Sequence, residues 1–181
     1  MVKRITSILL AFALMMTMTT PVLATPQFNL DEISGHWAEA QLTKWIDKGY
    51  LQGYNGFYYP DRPITRAEFA ALINRSFNLT EAAKINFIDL KDTHWAYPHI
   101  AIAVQANYIQ GYSDHTVRPD QKITREEAAV MVYKLLKIEN GTQNATIPFK
   151  DHAAISDWSK EAVLALSQNS IIKGRGNGNF D

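Results

Sequence analysis

Two helical stripes of apolar residues recur along the chain at a nearly fixed interval. Ala38, Leu42, Trp45 and Ile46 fall at i, i+4, i+7 and i+8, and Ala96, Ile100, Ala103 and Val104 hold the matching places 58 residues later. Phe69, Leu72, Ile73 and Phe77 form a second stripe, matched by Ala128, Met131, Val132 and Leu136 at an offset of 59. The spacing predicts a first and a second amphipathic helix in each of two repeats. A further first helix is predicted around Val163 and Leu166, with no second helix to pack on it. Between the two helices of a repeat lies GYNGFYYPDRP or GYSDHTVRPDQK, rich in glycine, proline and aromatics, which suits tight turns or a short two-stranded element.

The motifs between the stripes repeat with them, which makes internal repetition the organising feature of the chain. Asp31 with His36 and Trp37 recurs as Asp89 with His94 and Trp95, and GYLQGY at 49–54 recurs as NYIQGY at 107–112. Pro60, Asp61 and an Ile-Thr-Arg triplet recur as Pro119, Asp120 and a second triplet, one loop residue later. A third copy begins at Phe149-Lys150-Asp151, passes Asp157 and Trp158, and reaches SIIKGRGNGNFD. The expected boundaries are 25–80 for repeat one, 85–139 for repeat two, 140–148 for a polar linker and 149–181 for an incomplete repeat three. Its Pro-Asp and Ile-Thr-Arg motifs would lie past Asp181, so the chain reads as the N-terminal part of a longer protein or the product of an interrupted gene.

Residues 1–24 are set apart from the fold. Lys3 and Arg4 precede an uncharged run from Ile5 to Thr20, and small residues close it at Ala24. We read this as a secretory signal peptide cleaved after Ala24; the run is diluted by threonines and a serine, which argues against a membrane anchor. The remaining 157 residues carry 16 basic and 18 acidic side chains with no basic run, so neither nucleic acid nor an anionic membrane is an expected partner. With no cysteine, the exported chain is stabilised by burial without disulfides or thiolate metal sites. The five histidines lack metal-ligand spacing: His94 and His99 are five apart, and no HExxH is present. No GxSxG, Walker or GxGxxG pattern appears in its required context, so neither a cofactor nor catalysis is expected.

The Ile-Thr-Arg triplets open the second helices. Thr65 with Glu68, and Thr124 with Glu127, have the spacing of a capping box, and Ile64 with Phe69 that of a hydrophobic staple. This logic leaves Arg66 and Arg125 unexplained, because a cation on the first turn opposes the helix dipole. Two readings remain open for them. Free amides at a helix start together with a guanidinium suit a carboxylate or phosphate; alternatively each arginine pairs with a nearby acid such as Asp61 or Asp120.

The ordered set F-x-D, HWA, an amphipathic helix, G-Y-L-Q-G-Y, a glycine/aspartate/asparagine loop and P-D-x-x-I-T-R-x-E resembles the S-layer homology (SLH) domain from about Asp31 to Asp181. The resemblance implies a mainly α fold in which helix-loop-helix repeats form a pseudo-threefold bundle with short loop or β prongs. It implies a non-enzymatic anchor at the cell surface, binding secondary cell-wall polysaccharide, typically pyruvylated, with cargo or self-assembly domains following. A pyruvate ketal would supply the carboxylate that Arg66 and Arg125 could clamp. By the same resemblance the grooves between repeats would also use Trp37, Trp95, Trp158, Asp31, Asp89 and Asp151, with Tyr54 and Tyr112 at groove edges. Gly56 and Gly178 would be the loop glycines that permit close approach. Each of these has a plainer reading: the tryptophans as core, the aspartates as stitches of the loop before the first helix, the tyrosines as turn packing. His115 replaces the loop glycine in repeat two, and Asn29 stands where Phe87 and Phe149 stand later. A structural assembly segment with no glycan site of its own is the alternative to the anchor.

Overall fold

A computed structural model describes residues 29–138 and 146–181; the expected signal peptide and most of the expected linker lie outside them. Among the described residues the protein is mainly helical, as expected. The helices are α1 (Glu39–Asp47), α2 (Arg66–Ser76), α3 (Tyr97–Gln105), α4 (Arg125–Leu136) and α5 (Asp157–Gln168), with short 3-10 turns at Asp31–Ile33 and His152–Ala154. The prong loops hold no strand among the described residues, only isolated bridges at Tyr54–Phe57 and Thr65–Lys122.

The packing unit is not the sequence repeat. The second helix of one repeat lies on the first helix of the next: α2 against α3, and α4 against α5. One core joins Ala67, Ala70 and Ile73 of α2 to Ile100 and Ala103 of α3, with Tyr108, Ile109, Val117 and Met131 around them. A second joins Ala129 of α4 to Val163 and Leu166 of α5, closed by Phe149, Ile155 and Phe180. Alanines at the first seam let the two backbones approach closely, and burial of these faces stabilises helices too short to persist alone.

This arrangement overturns the expectation that the last first helix would lack a partner. Ala162, Val163, Ala165 and Leu166 of α5 are buried, because α4 covers them. It is α1 that buries no residue fully.

The repeats also join through backbone. The amide of Ile123 donates to the carbonyl of Ile64 at 3.1 Å, and the amide of Arg66 to that of Gln121 at 2.8 Å, so the first triplet, residues 64–66, runs antiparallel beside residues 121–123, which lead into the second. Buried polar groups lock the α2–α3 seam. The Tyr108 hydroxyl donates to Asn74 Oδ1 at 2.6 Å, and Asn74 Nδ2 donates to the carbonyl of His99 at 2.9 Å. Burial pushes the Tyr108 hydroxyl well above its ordinary pKa, so it serves as a neutral donor.

Candidate functional site

Both capping boxes form. Thr65 Oγ1 accepts from the Glu68 amide at 3.2 Å and Glu68 Oε2 from the Thr65 amide at 2.8 Å; Thr124 and Glu127 repeat this at 3.1 and 3.0 Å. At α2 the free amides expected to seat an anion are already occupied. Arg66 N donates to Gln121 O and Ala67 N to Pro119 O, both carbonyls of the second repeat's loop. Any anion at this junction must therefore be held by side chains.

Arg66 is only 9% exposed, and its Nε is buried with no hydrogen-bond partner. Its Nη1 lies 3.5 Å from Glu127 Oε1, and its guanidinium carbon lies 5.2 Å from the Tyr112 ring centroid. Neither Asp61 nor Asp120 is its partner: these pair with His36 and His94, at 3.2 and 3.6 Å. In both couples the histidine Nδ1 faces the amide two residues on; His36 Nε2 is then free to donate to Asp61, whereas His94 Nε2 only approaches Asp120.

Arg125 repeats the theme one junction later. Its Nη2 donates to the carbonyl of Lys173, its guanidinium carbon lies 5.0 Å from the Phe180 ring, and its Nε is also buried and unpartnered. Burial, and then the neighbouring Arg175, lower its pKa from the ordinary arginine value. Each triplet arginine thus reaches across to the following repeat.

The aspartates stitch loops. Asp89 accepts from the amides of Val117 and Arg118 at 2.9 and 2.7 Å, and Asp151 from those of Phe180 and Asp181 at 2.6 and 3.1 Å. These amide bonds hold the Asp151 carboxyl below its usual pKa. In repeat one the corresponding bonds, to Tyr58 and Tyr59, are accepted by Glu32, while Asp31 is exposed. The register explains the change. Asn29 N donates to Gly56 O as Ile88 N does to His115 O and Lys150 N to Gly178 O. Asn29 therefore matches Ile88, not Phe87; the aspartate has slipped by one residue, and a longer carboxylate two positions after Leu30 makes the reach.

Gly56 and Gly178 have φ of 84° and 85°, and His115 takes the same left-handed turn at 60°, so its substitution preserves the loop path. Tyr54 is exposed on its prong. Tyr112 is half-buried, donates to Glu127 Oε1 at 2.6 Å, and has the Arg118 guanidinium carbon 3.9 Å from its ring centre. Burial first, and then the Glu127 bond, push its hydroxyl pKa up. The tryptophans are not core: Trp37, Trp95 and Trp158 are 91%, 50% and 59% exposed.

The structure brings part of the predicted set together. Arg66 of repeat one, Tyr112 and Glu127 of repeat two and Trp158 of repeat three line one groove of about 350 Å³. Trp37, Tyr54 and Gly56 lie outside its lining. Gln110 and Lys134, joined at 3.3 Å, line it too and were not foreseen. Lys134 could have been found from its spacing, since Glu127, Met131 and Lys134 share one helical face. A second groove, about 340 Å³, holds the equivalent loop of repeat three, with Lys173, Gly174, Arg175 and Gly178 against Phe149. Among the described residues no group of three or more His, Cys, Asp or Glu is placed to hold a metal ion, and no helix is long and apolar enough to cross a membrane.

The S-layer homology domain profile matches residues 31–70, 86–129 and 148–181, in step with the three helix-and-loop units. The chain belongs to the S-layer homology domain family. It is similar to the surface-layer 125 kDa protein of Lysinibacillus sphaericus, 30% identical over 90% of this chain and 14% of that protein. It is 37% identical to a cellulosome-anchoring protein of Acetivibrio thermocellus over 69% of this chain and 30% of the relative. An amylopullulanase of Thermoanaerobacterium thermosulfurigenes is 30% identical over 84% of this chain and 8% of its own length. The S-layer homology chain thus spans less than a third of each of these relatives.

Proposed function

We propose that these repeats form a cell-surface anchoring module that binds secondary cell-wall polysaccharide non-covalently, through an anionic substituent such as a pyruvate-ketal carboxylate. The observation that carries the reading is Arg66: a buried guanidinium with an unpartnered Nε, at the edge of a groove that also presents an exposed tryptophan. A guanidinium suits a carboxylate because its planar fork offers paired donors, and an indole face suits the apolar face of a sugar ring. The names of the surface-layer and cellulosome-anchoring relatives agree with this role. The module's part is binding rather than catalysis, and cargo or assembly functions would belong to other domains.

The alternative is a helical assembly segment whose arginines serve internal ion pairs. It draws on the Arg66–Glu127 contact, but a single 3.5 Å approach leaves most of the guanidinium's donors unused. Co-sedimentation of the full chain with purified cell walls, before and after chemical removal of the ketal, separates the readings. Binding that is lost with the ketal supports the carboxylate mechanism; binding that is unchanged removes it. No binding to intact walls removes the anchor.

A further inference from the structure

We propose that Glu127 is the specificity-determining residue of the groove at the first junction, selecting a singly charged carboxylate flanked by hydroxyls over a doubly charged phosphate. This rests on the glycan-binding reading above and deepens it. The charged side chains lining the groove are Arg66, Lys134 and Glu127, which leaves one net positive charge to meet a ligand.

The Glu127 carboxylate is held in place. Its Oε2 accepts from the Thr124 amide at 3.0 Å as part of the capping box, and its Oε1 accepts from the Tyr112 hydroxyl at 2.6 Å. Burial pushes its carboxyl up in pKa, but the Thr124 and Tyr112 bonds and the charge of Arg66 outweigh this and keep it below the ordinary carboxylate value. The groove therefore presents a fixed negative charge beside its anchor. Such a charge repels a second negative charge on the ligand and accepts a hydroxyl, as it already does from Tyr112. Glu127 approaches Arg66 only at Nη1, and the rest of the guanidinium fork remains for the ligand's own carboxylate.

The first repeat supplies the contrast. Glu68, in the same motif position, is neutralised by Arg62 of its own prong at 2.5 Å. The residue in the place of Arg62 in repeat two is Gln121, so Glu127 receives no cation from its own prong and faces the groove with its charge turned to Arg66.

The test uses the full chain and two variants, Glu127→Gln and Gln121→Arg, titrated by NMR with a pyruvylated methyl hexopyranoside and with glucose 6-phosphate. Glutamine at this position retains a capping box, and Gln121→Arg cancels the charge without touching the cap. The parent is expected to prefer the ketal, and each variant to narrow the ketal-to-phosphate ratio by about tenfold, the scale of one unit charge at ~6 Å in a medium between water and a protein surface. A ketal-binding parent whose ratio is the same in both variants, or a parent that prefers phosphate, overturns this inference alone. A parent that binds neither probe overturns it together with the glycan reading.

Discussion

The guanidinium of Arg66 lies 3.5 Å from the carboxylate of Glu127, 61 residues away in the next repeat, and one edge of it is buried without a partner. A lysine at this place would keep the charge and lose the planar fork. Arg66→Lys and Arg125→Lys are each expected to weaken binding to purified walls by about tenfold, the equivalent of one charge-assisted hydrogen bond at ~1.5 kcal/mol. Sedimentation isotherms measure this, with melting temperatures as the control for folding. If both variants bind walls like the parent, these arginines are not the anchors.

Glu32 and Asp31 are adjacent acids with different duties. Glu32 accepts the two loop amides of Tyr58 and Tyr59, while Asp31 faces solvent. Glu32→Ala should lower unfolding free energy by about 1–2 kcal/mol through the amides left without an acceptor. Asp31→Ala should stay within about 0.5 kcal/mol. Urea unfolding of the two variants reverses the assignment if their order is inverted.

His99 introduces a pH dependence. Burial, and then the nearby Arg75, lower its pKa from the ordinary value of 6.5, and its Nδ1 is buried without a partner. The unfolded chain therefore binds a proton on this ring more readily than the folded one. Stability is fully present above about pH 6.5 and is lost as pH falls through the depressed folded value. The parent should lose more stability between pH 7.5 and pH 5 than His99→Gln does, when urea midpoints are compared. Equal losses would exclude this histidine as the source.

Gly111 and Gly49 both have positive φ, 76° and 70°, yet only one is crowded. A Cβ on Gly111 would meet the Phe87 ring at 2.5 Å and the Thr116 carbonyl at 2.9 Å, whereas one on Gly49 would meet nothing within 4 Å. Gly49→Ala should cost about 1 kcal/mol, the conformational penalty alone. Gly111→Ala should cost more than ~2 kcal/mol, because it also displaces the phenylalanine that closes the prong. Thermal unfolding of the pair checks the order.

The helices and their caps were legible because their signals are local. Thr65 and Glu68 lie one turn apart, and the apolar stripes of α2 to α5 mark buried faces whatever the partner, although that of α1 buries no residue fully. The identity of each partner was not legible. The tryptophans at the starts of the first helices read as core from their apolarity, yet they are exposed: in repeats two and three burial falls instead on Ala96 and Ile100 and on Ala162 and Val163. Asp61 and Asp120 were near the arginines in sequence but pair with histidines, and the acid that reaches Arg66 comes from the next repeat.

The sequence by itself determined the repeat, the helix pair within it, the capping boxes and the unusual arginines, since each depends on residues a few positions apart. Tertiary structure alone decided which helix covers which, that Glu32 replaces an aspartate as the loop's acceptor, and that Arg66, Tyr112, Glu127, Lys134 and Trp158 share one groove. The reason is physical: periodicity records that a face is buried, while the burying surface comes from a neighbouring repeat tens of residues away, and no local spacing encodes its register.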